Sequence, residues 1–217
     1  MNQPQPFRFF TERRLVELTG LKARNLPELA TILQTVPGSA IFYHTHHEFL
    51  SHNFEKPVVY NDFAVWVSEA LQENRLAEKL AAVDLLAFTT IRELRENLLG
   101  LVAAHLKECK GSPRECPPGD EFYFCKSKSF IMPTGIVAQD PADFFAKLPQ
   151  ITTISLYFHF LEARLRLGRP TNDFSQWLFS RGETQLAEAI NRLDPYTRTL
   201  PELKADLIKL GSKFGVC

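Results

Sequence analysis

The sequence has little glycine, 10 residues in 217, and it contains neither a GxGxxG motif nor a Walker-type loop. Glycine lets a backbone approach a phosphate closely, so this shortage argues against a fold that cradles a nucleotide. A GxSxG nucleophile elbow, an HExxH zinc motif and a recognisable Cys–His pairing are missing as well. The sequence leaves enzymatic activity open but favours a non-enzymatic protein.

An excess of charge of one sign is also missing, because 25 lysine and arginine residues balance 25 aspartate and glutamate residues. We therefore expect neither nucleic acid nor a membrane as a partner. No apolar run approaches the roughly 18 residues of a membrane-spanning helix, and the polar, proline-containing residues 1–6 do not look like a secretory signal. The expected location is the cytoplasm.

Cysteine is scarce, and its four residues form no CxxC pair. In a chain without a secretory signal we expect reduced thiols. Cys109, Cys116 and Cys125 are close enough in sequence to consider a zinc site, but their spacings are wide and no fourth ligand is evident.

What the sequence does contain is an internal repeat, which assigns residues 1–110 to a first unit, 111–121 to a linker rich in glycine and proline, and 122–217 to a second unit. Both tryptophans of the chain fall at matched positions. The clearest matches pair Phe7 with Phe122, Phe9 with Phe124, Thr19 with Thr134, Gly20 with Gly135, His44 with His159, Asp62 with Asp173, and Trp66 with Trp177.

Each unit shows the same predicted elements. Alternating aromatic residues predict strands over 7–10 and 122–126, with hairpin partners over 15–18 and 129–132, and a Thr-Gly pair is expected to end each hairpin. Apolar periodicity and caps predict helices over 25–33, 39–52, 63–71, 76–83 and 90–106, and over 140–148, 153–167, 174–179, 186–193 and 200–210. For 39–52 and 153–167 the β-branched and aromatic residues leave a strand as the alternative. The predicted fold is mainly α, an α+β protein with a small antiparallel strand element, and its two copies are expected to pack about a pseudo-two-fold axis.

Three motifs resemble those of a known family. They are the Phe-Tyr-His-Thr-His-His-Glu-Phe-Leu run at 42–50, the Asn-Asp-Phe-x-x-Trp segments at 61–66 and 172–177, and the Leu-Asp-Pro-Tyr run at 193–196. They are similar to domain of unknown function 5752, a bacterial family of tandemly duplicated helical proteins, over essentially the whole chain. The resemblance implies a duplicated cytoplasmic protein and supplies no catalytic residue.

Histidine forms the one unusual cluster. On the helix predicted over 39–52, His44 and His47 share a face, and the matched positions hold His159 and Glu162. A two-fold arrangement would bring these four side chains together as a site for a divalent transition metal. The alternative is that His44 and His159 are buried residues that hydrogen-bond the backbone.

Two further histidines have no histidine counterpart. His46 and His52 are matched by Leu161 and Leu167, and they are either incidental or part of an acquired site.

The Asn-Asp-Phe-x-x-Trp segments admit two interpretations. Asp62 and Asp173 would form a carboxylate pair, or they would cap the helices that follow, which we expect. On the capping view, replacing Asp62 by alanine costs about 1 kcal/mol. Trp66 and Trp177 are expected to lie in the core.

The functional prediction is a non-enzymatic binding or regulatory module, with a groove between the two repeats for a partner protein or a small-molecule ligand. Basic residues from both units would line an anion-binding groove, although most arginines simply face water. The predicted ligand-binding residues are Lys22, Arg24, His44, His159, Arg164 and Arg166. The alternative is a metal-binding protein or metal-dependent enzyme that uses His44, His47, His159 and Glu162.

Overall fold

The computed structural model describes residues 5–51, 61–109 and 111–216, without the side chains of residues 48–51. His52, Cys217 and residues 53–60 lie outside the described residues. The described chain is mostly helical with one antiparallel two-stranded sheet, which confirms the α+β class. Within it, no helix is long and apolar enough to cross a membrane.

The elements follow the predicted order in both halves of the sequence. The first half contains strand β1 (Phe7–Ala23) and helices α1 (Leu26–Thr35), α2 (Gly38–Ser51), α3 (Asp62–Glu69), α4 (Asn74–Ala81) and α5 (Ile91–Glu108). The second half contains strand β2 (Phe122–Ala138) and helices α6 (Pro141–Lys147), α7 (Thr153–Tyr157), α8 (Ala163–Leu167), α9 (Asp173–Ser180), α10 (Thr184–Asn191) and α11 (Leu200–Lys213). A π-helical turn, Phe158–Glu162, joins α7 to α8 without a break.

The predicted hairpins are wrong. Residues 15–18 continue β1 and residues 129–132 continue β2, and the two long strands pair with each other instead. A short alternating segment fits a hairpin and a distant strand pair equally well, because its periodicity reports only which face is buried.

The Thr-Gly pairs do not end the strands. Gly20 has a positive φ of 78°, as predicted, yet β1 runs on to Ala23. The Thr19 hydroxyl links this position to the partner strand, since it donates to the Phe124 carbonyl at 2.7 Å and accepts from the amide of Leu21 at 3.2 Å. In β2, Thr134 makes the same two bonds, to the Phe9 carbonyl and from the Ile136 amide.

The chain folds into two compact units whose boundaries differ from those of the sequence repeat. The carboxyl-terminal unit contains described residues 5–13 and 129–216, and the amino-terminal unit contains 14–51, 61–109 and 111–128. Each unit therefore combines the helices of one sequence half with a strand segment from the other half. The division of the sequence into units 1–110 and 122–217 with a linker over 111–121 stays a prediction.

Aromatic side chains explain this exchange of strand segments. In the carboxyl-terminal unit, Phe7 and Phe9 of β1 pack on Phe144 of α6, with ring centroids 5.3 and 5.4 Å apart. In the amino-terminal unit, Phe122 of β2 packs on Phe63 of α3 at 5.1 Å. All five rings are buried, and burying a phenylalanine side chain is worth roughly 1.5–3 kcal/mol.

Candidate functional site

Asparagine, and not the aspartate beside it, caps α3 and α9. The side-chain oxygen of Asn61 accepts from the amide of Ala64 at 2.9 Å, and Asn172 accepts from Ser175 at the same distance. The predicted capping role of Asp62 and Asp173 is therefore wrong. Each aspartate is the first residue inside its helix, and its carboxylate is left for another partner.

That partner is the histidine matched in the two halves. His44 Nδ1 lies 2.7 Å from Asp62 Oδ2, and its Nε2 accepts from the backbone amide of Cys125 at 2.9 Å. An amide N–H can only donate, so Nε2 must carry the lone pair and Nδ1 the proton that is donated to Asp62.

The carboxyl-terminal unit repeats this arrangement. His159 Nδ1 lies 2.7 Å from Asp173 Oδ2, and its Nε2 accepts from the amide of Phe10 at 2.8 Å. Burial lowers the pKa of His159, and the bond to Asp173 opposes that effect only in part. The ring is 3% exposed and sits in the π-helical turn, an irregularity often found at functional positions.

Both rings therefore fasten a strand from one sequence half to a helix from the other half. Of the two interpretations, the backbone-bonding role of His44 and His159 is the one observed. All four ring nitrogens are engaged, so a metal at either ring would have to replace an existing hydrogen bond. Metal binding by His44, His47, His159 and Glu162 stays a prediction, and it requires that these hydrogen bonds be replaced.

An arginine extends the network in the carboxyl-terminal unit. Arg166 Nη2 donates to Asp173 Oδ2 at 2.6 Å and to the Phe158 carbonyl at 3.3 Å. Its guanidinium also lies 4.2 Å from the centre of the Phe158 ring, a favourable cation–π contact. One carboxylate oxygen thus receives both the imidazole and the guanidinium.

This network lines an open groove of about 960 Å³ in the carboxyl-terminal unit. Its apolar lining comes mainly from the rings of Phe7, Phe10, Phe158 and Trp177. Trp177 is half-buried, so the prediction that it lies in the core is wrong, whereas Trp66 is buried as predicted. The Trp177 indole donates to the Gln5 carbonyl at 2.9 Å, which fixes the ring at the edge of the groove.

Comparison with known proteins identifies the family. A family model described as a family of unknown function (DUF5752) matches residues 4–212. The chain belongs to this family. The family resemblance drawn from the histidine run and the Asn-Asp-Phe-x-x-Trp segments is thereby confirmed.

One solved structure has a similar fold. The structure of OrfY from Thermoproteus tenax is 28% identical to this chain, covers 98% of it and 97% of its own chain, and superposes with a TM-score of 0.81. Among curated proteins, none matches.

The other predicted binding residues have partners or positions within their own units. Lys22 pairs with Glu121 at 3.1 Å, and Arg24 pairs with Glu28 at 3.1 Å. Arg164 is half-buried on α8. An anion-binding groove lined by these cations stays a prediction. Of the predicted ligand-binding residues, His159 and Arg166 line the groove of the carboxyl-terminal unit.

Two more predicted metal ligands, His47 and Glu162, are half-buried. His47 stacks on Tyr43, with ring centroids 4.9 Å apart. Glu162 ends the π-helical turn that carries His159. Each therefore lies on the same helical segment as its predicted histidine partner, within its own unit.

His46 is a core residue of the amino-terminal unit. It is 7% exposed, and its ring stacks on Phe42 with centroids 4.6 Å apart. Burial lowers its pKa to about 3, and the positive charge of Arg14 adds to that effect. The matched Leu161 is buried as well, so the position belongs to the core in both halves.

Proposed function

We propose that this protein is a non-enzymatic binding module whose ligand occupies the groove of the carboxyl-terminal unit. The observation that carries the proposal is the groove itself, because about 960 Å³ lies at the upper end of small-molecule pockets. Its lining combines residues 5–10 of the first sequence repeat with residues of the second, in keeping with a groove built by both repeats.

The charges of the lining favour an anionic ligand. Among the described residues of the lining, the exposed Arg8 and Arg166 contribute two cations against the one carboxylate of Asp173. One positive charge is therefore in excess beside a wall of aromatic rings. The chemistry that fits is a small organic anion with a flat apolar part, held by stacking and by charge-assisted hydrogen bonds.

The state of His159 supports binding over catalysis. A general base needs a free lone pair aimed at the substrate. The lone pair of His159 Nε2 is taken by the Phe10 amide, and its Nδ1 proton is directed at Asp173. The imidazole thus lines the groove without presenting a reactive nitrogen to a ligand.

We also infer that the two halves of the chain descend from a duplication. Besides the matched histidines, the Trp66 indole donates to the Asp120 carbonyl as the Trp177 indole does to Gln5. Recurrence of such long-range contacts at matched positions is the support for this inference. Packing about a pseudo-two-fold axis and a cytoplasmic location remain part of the proposal, and the metal-dependent alternative remains a second proposal.

Tryptophan fluorescence tests the binding proposal. In a Trp66→Phe variant, Trp177 is the only tryptophan, so a ligand in the groove changes the emission directly. We expect at least one member of a panel of aromatic and aliphatic carboxylates, sulfonates and phosphate esters to do so, and to raise the melting temperature.

A groove-filling variant provides the control. Gln176 is exposed, lines the groove and lies on α9, so Gln176→Trp should block binding without disturbing the core. Gln185→Trp places the same side chain at an exposed position on α10 that does not line the groove, and it should bind normally. Melting-temperature shifts report binding in both variants. Equal binding by the two variants, or no response to any compound, would contradict the proposal.

A further inference from the structure

A second group of ligating side chains lies in the amino-terminal unit. Glu73 stands at the start of α4, His105 lies near the end of α5, and Cys109 ends that helix. One ligand atom from each lies within 4.8 Å of the other two. The sequence had suggested grouping Cys109 with Cys116 and Cys125, but among the described residues its partners in a possible metal site are Glu73 and His105.

The distances suit a tetrahedral metal ion. His105 Nε2 lies 3.2 Å from Glu73 Oε2 and 3.3 Å from Cys109 Sγ. Bonds of about 2.0 Å to nitrogen and oxygen and about 2.3 Å to sulfur place neighbouring tetrahedral ligands roughly 3.3–3.5 Å apart. The two distances from His105 therefore match a tetrahedral site to within a few tenths of an ångström, and the ligand atoms of Glu73 and Cys109 lie within 4.8 Å of each other.

Hydrogen bonding serves the two contacts of this nitrogen unequally. Both Glu73 and Cys109 approach the same nitrogen of His105, and that nitrogen carries either one proton or one lone pair. With Glu73 ionised, the proton points at the carboxylate, and the sulfur of Cys109 can only share it as a weak second acceptor. A metal ion replaces both contacts at once, because the nitrogen, the oxygen and the sulfur all become ligands.

The charges and the surroundings of the group agree with zinc. A thiolate and a carboxylate neutralise a divalent ion, and sulfur, nitrogen and oxygen ligands together suit zinc. The guanidinium of Arg114 lies 3.5 Å from Glu73 Oε1, the oxygen that does not face His105, and so orients the carboxylate. Cys109 is exposed, which leaves room for water as the fourth ligand.

The second half of the chain lacks this group of ligating side chains. Glu183 matches Glu73 and begins α10 with a similar backbone, φ −80° and ψ 54° against φ −94° and ψ 62°. Phe214 stands at the position matched to His105. His105 is buried whereas Phe214 is exposed, so the second half keeps neither the imidazole nor its buried position.

We propose that Glu73, His105 and Cys109 bind one zinc ion, with water completing the tetrahedron. The site lies in the amino-terminal unit, so the proposal stands or falls independently of the ligand groove.

Cobalt(II) is the probe that tests it, because a thiolate ligand gives cobalt a charge-transfer band in the near ultraviolet. Untagged, reduced protein freed of metal by a chelator should develop this band with a one-to-one end point, and zinc should abolish it. Cys109→Ser should lose the band, while Cys116→Ser and Cys125→Ser, which remove the other described thiols, should keep it.

A second variant separates binding from folding. His105→Phe copies the residue of the second half, and its melting temperature without zinc shows whether it is folded. Zinc should raise the melting temperature of the wild-type protein and leave that of His105→Phe unchanged. Absence of the cobalt band in the wild-type protein, its persistence in Cys109→Ser, or an equal zinc response in His105→Phe would overturn the proposal.

Discussion

Acid should weaken the amino-terminal unit through one residue, His46. Its ring is buried against Phe42, and Nδ1 lies 2.7 Å from the Thr45 hydroxyl. The guanidinium of Arg14 lies 4.6 Å from the centre of the same Phe42 ring. Burial first, and then this neighbouring positive charge, lower the pKa of His46 from 6.5 to about 3.

The direction of the effect follows from the pH at which the folded and the unfolded state each take up the proton. The unfolded chain protonates this imidazole near its ordinary pKa of 6.5, whereas the folded chain keeps it neutral down to about pH 3. Between these values the unfolded state binds more protons, so the free energy of unfolding falls as the pH falls. At about 1.4 kcal/mol for each pKa unit, lowering the pH from about 7.5 to about 5 costs about 2 kcal/mol.

His46→Leu measures this contribution, because the matched Leu161 is buried in the same place in the other half. In a Trp177→Phe background, Trp66 alone reports the unfolding of the amino-terminal unit in urea. The loss of stability between the two pH values should be about 2 kcal/mol smaller in His46→Leu than in the background chain. An equal loss in both chains would refute the assignment to His46.

Three other results are expected. Asn61→Ala should lower the free energy of unfolding by about 2 kcal/mol, because it removes the cap on α3 and a buried bond to the Leu80 carbonyl, as urea unfolding would show. Gly20→Ala should lower the free energy of unfolding by about 1–2 kcal/mol, because Gly20 has a positive φ. Gly100→Ala should raise it by up to about 1 kcal/mol, because Gly100 lies inside α5 with open space around it. Equal melting temperatures of the two variants would contradict this. A protease site inserted between Gly111 and Ser112 and then cut should leave the two pieces together in native gel filtration, because each compact unit contains segments of both; separation would disprove the exchange of strand segments.

The helices were predictable because their signals are local. The asparagine before α1 and the apolar periodicity of α5 act within a few residues of where they occur, and the structure places both helices where these signals indicated. The strands were predicted less well. Their alternation correctly marked Phe7 and Phe9 as buried, but the partner strand lies in the other half of the chain, beyond the reach of any local signal.

The residues of the His–Asp pairs were predictable from the sequence, but their pairing was not. His44 and Asp62 were each singled out in the sequence, as were His159 and Asp173, but as members of separate motifs. Their recurrence in both halves was the signal that would have joined them. The hydrogen bond itself depends on how α2 packs beside α3, which sequence spacing does not encode.

By itself, the sequence determined the family, the matched positions of its two halves, the helical elements and the aromatic core, because periodicity, caps and matched residues express local preferences and burial. The tertiary structure alone decided that β1 and β2 pair along their length, and that each half supplies a strand segment to the helices of the other. It also decided that Asn61 caps while Asp62 holds an imidazole, and that Cys109 meets Glu73 and His105. These outcomes depend on which distant surfaces come into contact, and many pairings satisfy the same local pattern.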